Sequence, residues 1–237
     1  MPISRRVLVS LGGAAVIAGG GFTAFRVMSQ TTAPTAAPAP QPSTTAAQPA
    51  PAAGPLSEAL TSPRGLGKPD APVSVIEFFS LTCPHCAAFA AETMPKIQSD
   101  LIDTGKLRWV FGDYPLDQVA LTASMIARAL PPDRYWPFCE ALFASQNRWA
   151  FARGVNSTDE LAKMAALAGL SRPAFDATIA NQPLRDWILK QQDEATKMYQ
   201  VDSTPTFIFN GPAQKDHRES GGRDYDSFAK LVAAAAG

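Results

Sequence analysis

The chain has few cysteines and histidines, 3 and 2 among 237 residues. A structural zinc site takes about four Cys or His ligands. Beyond Cys83 and Cys86 only Cys139, His85 and His217 remain, and His85 lies between the two cysteines. Zinc is therefore a poor reading, and no metal or other cofactor is implied. Acid is missing from the start of the chain, with no Asp or Glu before Glu58, and residues 29–56 carry no charge at all. A concentrated basic surface is missing too. The 21 Lys and Arg match 21 Asp and Glu; setting aside Arg5, Arg6 and Arg26 leaves 18 against 21, a net of −3. That balance argues against a nucleic-acid partner. No internal repeat is present. The hydrophobic content of 46% is ordinary for a globular protein with a real core.

What is present begins with a targeting pattern. Arg5 and Arg6 precede an apolar, glycine-rich stretch over residues 7–25. A positive head followed by an apolar run is the mark of a secretory signal, and the paired arginines loosely resemble a twin-arginine signal. Residues 1–28 are thus expected to be a signal peptide or, since a span needs roughly 20 apolar residues, a retained membrane anchor. Residues 29–56 hold seven prolines and many alanines. They read as a disordered linker that favours extended, polyproline-like states.

The folded part starts near Ser57. Residues 73–80 carry Val73, Val75, Ile76, Phe78 and Phe79, a buried-strand composition, with Pro72 at a permitted strand start. The run Cys83-Pro84-His85-Cys86 follows, then a helical pattern over 87–101 with Phe89, Ile97 and Leu101 on one face. Pro95 is expected to kink it and Gly105 to end it. A second strand at 106–111 completes a βαβ unit with parallel strands. Residues 116–199 are helical in pattern, with segments at 120–130, 133–146, 157–167, 172–180 and 183–199. A capping box of Ser157 with Glu160 is expected to open the third of these. Strand character returns at 206–209 and around 218–220, and a helix at 225–236 closes the chain.

Two cysteines at i and i+3 on a helix share a face, so their sulfurs come within bonding range. The first sits at the helix N-terminus, where unpaired N–H groups and the positive dipole end favour a thiolate. Pro84 fits the first turn because its missing N–H costs nothing there. His85 adds a donor that is cationic when protonated. A stabilised Cys83 thiolate is a good leaving group, and it stabilises the reduced form, making the disulfide form a strong oxidant. An inert structural disulfide is the bland alternative, but the position between a buried strand and a helix favours a redox dithiol.

The run Val75-Ile76-Glu77-Phe78-Phe79-Ser80 joined to Cys83-Pro84-His85-Cys86, with Ser203-Thr204-Pro205-Thr206-Phe207 farther on, resembles the DsbA family of bacterial periplasmic disulfide oxidases. The resemblance covers about residues 70–237. It implies an α/β thioredoxin fold over 57–115 and 200–237, with a helical insertion domain at 116–199. It implies that Cys83 and Cys86 are the catalytic pair, tuned by Pro84, His85 and Glu77. Thr204–Pro205 is then a cis bond beside the dithiol, with the Thr204 backbone binding substrate peptide as an added strand. Glu77 alone also fits a solvated strand edge; within the family such an acid is buried beneath the thiols and tunes their titration. The resemblance further implies unfolded exported proteins as substrates and a quinone-linked membrane partner for reoxidation. A disulfide isomerase or reductase of the same fold is the runner-up, and a non-catalytic binding module or holdase a third reading. Cys139, with Tyr135, Phe138, Leu142 and Phe143, falls on an apolar helical face and reads as a buried small hydrophobe. His217, in a polar run, reads as surface.

Overall fold

The computed structural model describes residues 56–237. The expected signal or anchor at 1–28 and all but the last residue of the expected linker at 29–56 lie outside the described residues. Five strands form one mixed sheet in the order β1-β3-β2-β4-β5. They are β1 (Arg64–Leu66), β2 (Val73–Phe79), β3 (Leu107–Asp113), β4 (Thr206–Asn210) and β5 (His217–Ser220). The β2–β3 pair is parallel and the other pairs are antiparallel.

The helices are α1 (Glu58–Thr61), α2 (Pro84–Glu92), α3 (Met94–Ile97), α4 (Gln118–Ala129), α5 (Pro132–Ala144), α6 (Gln146–Trp149), α7 (Ser157–Leu167), α8 (Arg172–Ile179), α9 (Gln182–Tyr199) and α10 (Tyr225–Ala236). Six of them, α4 to α9, lie between β3 and β4 in the chain. A π-helical turn, Gln98–Ile102, follows α3.

Side chains alternate along a strand. In β2 this sends Val75 and Phe79 into the main core with Phe89, Trp109, Phe207 and Phe228, while Ile76 and Phe78 meet Tyr114, Ala195, Val201 and Ile208 on the other face. Both faces of the central strand are therefore covered, and that is why it reads as a near-continuous apolar run. Phe89, on α2, stands against Trp109, Phe207 and Phe228 at ring separations of 6.1, 4.8 and 6.0 Å. This aromatic packing fixes α2 over the sheet.

Four local features refine the sequence reading. Strand β1 was not anticipated: Arg-Gly-Leu is too short and too polar to show a period. The helix opens at Pro84 with Cys83 as its N-cap, as the dithiol's place at a helix start requires, and the expected disturbance by Pro95 is a full break at Thr93 (φ −111°), because Pro95 has no N–H to continue the ladder. Helix α7 is capped by Asn156, whose side chain accepts from the N–H groups of Thr158 and Asp159, so Ser157 is the first helical residue instead of the cap. His217 is half-buried on β5 and hydrogen-bonds Glu219 at 3.1 Å.

A buried polar cluster lies under α4 and α5. Arg128 Nε donates to Asp113 Oδ2, and the Tyr135 hydroxyl donates to Asp113 Oδ1 at 2.9 Å. The Arg64 guanidinium donates to the carbonyls of Ala59 and Arg128 at 2.7 and 3.1 Å. Two arginines thereby tie α1 to the body of the fold.

Candidate active site

Cys83 is the N-cap of α2, extended at φ −81° and ψ 119°, with Pro84 in the first turn. The turn before it closes through the Cys83 N–H to the Ser80 carbonyl, 3.0 Å. Cys83 ends up 5% exposed and Cys86, one turn on, fully buried. All three cysteines are free thiols in this structure. Pro84 and His85 point outward and are exposed.

The two sulfurs have opposite electrostatics. The Cys83 thiol is lowered to about 5, first by the hydrogen bond from the Cys86 thiol, then by the Thr204 side chain and the backbone N–H groups of Cys86 and His85, against a desolvation that pushes the other way. What His85 supplies to this sulfur is its backbone N–H. Cys86 is pushed well above its ordinary value, by burial first, then by Cys83 and Glu77. One thiol is thus held as a thiolate at neutral pH and is the less deeply buried, while the other keeps its proton beneath it.

Thr204 and Pro205 close the site from β4. Their peptide bond is cis. As a thiol, Cys83 donates to the Thr204 carbonyl at 3.3 Å. The buried Thr204 hydroxyl has no other hydrogen-bond partner, which leaves it free to turn its O–H toward the sulfur once Cys83 is a thiolate.

Glu77 lies in the middle of β2, paired in register with Phe111 on one side and Phe207 on the other. It is 2% exposed, so the solvated-edge alternative does not hold. Its side chain falls on the same face as Val75 and Phe79, toward the thiols. Burial raises its pKa to about 8; the Trp109 indole works against this, and the Cys83 charge adds to it. Glu77 Oε2 and Trp109 Nε1 are both buried without a hydrogen-bond partner, so the indole acts on the carboxyl through space.

A family model described as thioredoxin matches residues 59–232. Wolbachia pipientis alpha-DsbA1 superposes with a TM-score of 0.68 at 28% to 29% identity, covering 73% of this chain and 90% of that one. The chain is a DsbA-like member of the thioredoxin family. BdbD from Bacillus subtilis, in its oxidised form, superposes at a TM-score of 0.63 with 26% identity, covering 78% of this chain and 96% of that one. In sequence, disulfide bond formation protein D of Bacillus subtilis is 29% identical over 175 residues, 70% of this chain and 74% of its own length. A Rickettsia bellii protein named as a protein-disulfide oxidoreductase is 25% identical over 147 residues, 62% of this chain but only 56% of its own length.

In this DsbA-like site three side chains escaped the sequence reading. Gln146, at the start of α6, donates to the carbonyls of Leu81 and Cys83 at 2.9 and 3.0 Å. Asp117, the N-cap of α4, accepts from the Thr82 hydroxyl at 2.7 Å. Trp109 brings its indole to Glu77 from β3. None carries a local signal: each is brought to Cys83 or to a residue beside or beneath it only through the fold. Cys139 is fully buried, and burial followed by the Asp113 charge pushes its thiol well up. Among the described residues, no group of three or more His, Cys, Asp or Glu is placed to hold a metal ion. No described helix is long and apolar enough to cross a membrane.

Proposed function

We propose that this chain is an exported thiol–disulfide oxidoreductase, acting chiefly as a dithiol oxidase on newly exported, unfolded proteins. The observation that carries this reading is the asymmetry of the pair: Cys83 lowered to about 5 at a helix N-terminus, and Cys86 buried below it with its thiol pushed up. An acidic Cys83 stabilises the reduced enzyme, so the oxidised enzyme readily gives its disulfide away.

The reaction starts from the Cys83–Cys86 disulfide. A substrate thiolate attacks the Cys83 sulfur, the one nearer the surface. A substrate–Cys83 bond forms, and the Cys83–Cys86 bond breaks with its electron pair on Cys86. Buried and raised, Cys86 needs a proton at that moment. Glu77, with a carboxyl at about 8, is the buried acid suited to supply it. A second substrate thiolate then attacks the substrate sulfur of the mixed disulfide, and Cys83 leaves as a stable thiolate. Two electrons have moved from substrate to enzyme. Thr204 and the cis-linked Pro205 hold the substrate backbone beside Cys83, the Thr204 carbonyl serving as acceptor for an added strand. Pro84 and His85 tune the first turn.

In this reading, residues 1–28 direct export to the periplasm, cleaved or kept as an inner-membrane anchor through residues 7–25. Residues 29–56 form a linker. Residues 57–115 with 200–237 form the thioredoxin-like domain, and 116–199 the helical insertion domain. A quinone-linked membrane protein restores the disulfide. The test is trapping with Cys86→Ala in cells. The variant should accumulate mixed disulfides between Cys83 and exported proteins, whereas no Cys83-linked partner would count against the proposal. Cys83→Ser separates the non-catalytic alternative, since a pure binding module keeps its activity without this sulfur.

A further inference from the structure

Gln146 lies 63 residues from Cys83 in sequence, yet its carboxamide nitrogen reaches the turn that presents this cysteine. The side chain is 6% exposed. Both of its N–H groups are used, one on the Leu81 carbonyl at 2.9 Å and one on the Cys83 carbonyl at 3.0 Å. A planar NH2 group with two acceptors fixes their relative direction. The α5–α6 junction that carries Gln146 is tied on either side of it: Ser145 Oγ donates to the Ala141 carbonyl at 2.7 Å, and the Trp149 indole donates to the Leu142 carbonyl at 2.8 Å.

The two carbonyls matter to the chemistry. That of Cys83 also accepts from the Ala87 N–H at 3.1 Å, so it is the first link of α2. Tilting it moves the His85 and Cys86 N–H groups that face the Cys83 sulfur. That of Leu81 has no backbone donor among the described residues. Without Gln146 it becomes a buried acceptor with no partner, and the turn rotates to recover one. Carbonyl oxygens near a thiolate also have the wrong sign for it, and a donor on each offsets that. We propose that Gln146 is a positioning residue for disulfide exchange, holding the Leu81 and Cys83 carbonyls so that the helix N–H groups stay aimed at the Cys83 sulfur. This rests on Cys83 being the reacting sulfur.

The test uses the full-length protein with Q146M, which keeps shape and loses the donors, and Q146E, which keeps shape and sets a carboxylate against two carbonyls. Iodoacetamide alkylation of the reduced protein against pH reads Cys83 ionisation, and glutathione equilibration reads the dithiol. Q146M should raise the ionisation midpoint by about one pH unit. It should shift the glutathione equilibrium roughly tenfold toward the oxidised dithiol, ~30 mV. Q146E should shift both further. Folded variants with wild-type midpoints and equilibria would overturn the proposal, even if their thermal stability fell, because a merely structural strut does not move Cys83 ionisation. Should Q146M not fold, nitrogen-15 NMR of the wild type carries the test. The Gln146 carboxamide protons should exchange slowly and titrate with Cys83; fast exchange without a titration overturns the idea. A wild-type protein that does not equilibrate with glutathione defeats the dithiol reading itself, and this proposal with it.

Discussion

Replacing Cys83 by serine in the reduced protein removes the thiolate and leaves the buried carboxyl of Glu77 in place, so the two groups can be separated by pH. Cys83 titrates at about 5 in the fold and near 8.5 in an unfolded chain. Between those values the unfolded state binds the extra proton, so stability rises with pH by about 1.36 kcal/mol per pH unit. The contribution is complete above about 8.5 and vanishes as pH falls through 5. From pH 5 to 7 the full figure is ~2.7 kcal/mol; solvent screening at the reachable face of the sulfur cuts it to roughly 1–2 kcal/mol. Glu77 works in the opposite direction. Its carboxyl titrates at about 8 in the fold and near 4.3 unfolded, so the native state keeps the proton longer and loses stability as pH rises through that window. Reduced wild type should therefore fall only gently between pH 5 and 8, while Cys83→Ser declines more steeply. Urea denaturation under a reducing agent at pH 4.5, 5.5, 6.5 and 7.5 measures both. Parallel pH profiles for the two proteins would refute the thiolate account.

Glu77→Gln should match wild type near pH 4 and gain on it as pH rises toward 8, by about 2 kcal/mol at pH 6 and about 5 kcal/mol at pH 9, because no proton is then withheld from an unfolded carboxylate and no charge is buried; denaturation midpoints at pH 4, 6 and 9 check this. Arg128→Met leaves Asp113 charged and buried without its partner and should cost about 3–5 kcal/mol, with part of the loss recovered by adding Asp113→Asn. Native reduced protein treated with iodoacetamide at pH 7 should be labelled at Cys83 alone, since it is the lowered thiol and retains some exposure, whereas Cys86 and Cys139 are fully buried with raised thiols; mass spectrometry showing Cys139 modified would contradict its placement.

Much of this fold was legible because its signals are local. The run 73–79 is apolar on both faces, since β2 is the central strand and is covered by α2 and α10 on one side and α9 on the other. The dithiol was legible because Cys-x-x-Cys between a strand and a helix has one common structural setting. What stayed hidden is non-local. Glu77 alternates with Val75 and Phe79, which tells its face, but only the pairing with β3 and β4 makes that face dry. Arg64 begins a strand whose pairing depends on β3 rather than on its own sequence. Gln146 and Asp117 look like ordinary helix-start residues until the helical segment folds back over the 80–83 turn. At α7 the Ser157–Glu160 spacing mimics a capping box, while the residue before it, Asn156, caps equally well and sits where the helix begins.

The most direct test of the central claim is the reduction potential of the Cys83–Cys86 pair, measured by equilibrating the full-length protein with glutathione. An oxidase with an ionised Cys83 predicts a value nearer the about −120 mV of DsbA than the about −270 mV of thioredoxin. A potential of about −250 mV or lower would contradict the oxidase account and favour a reductase.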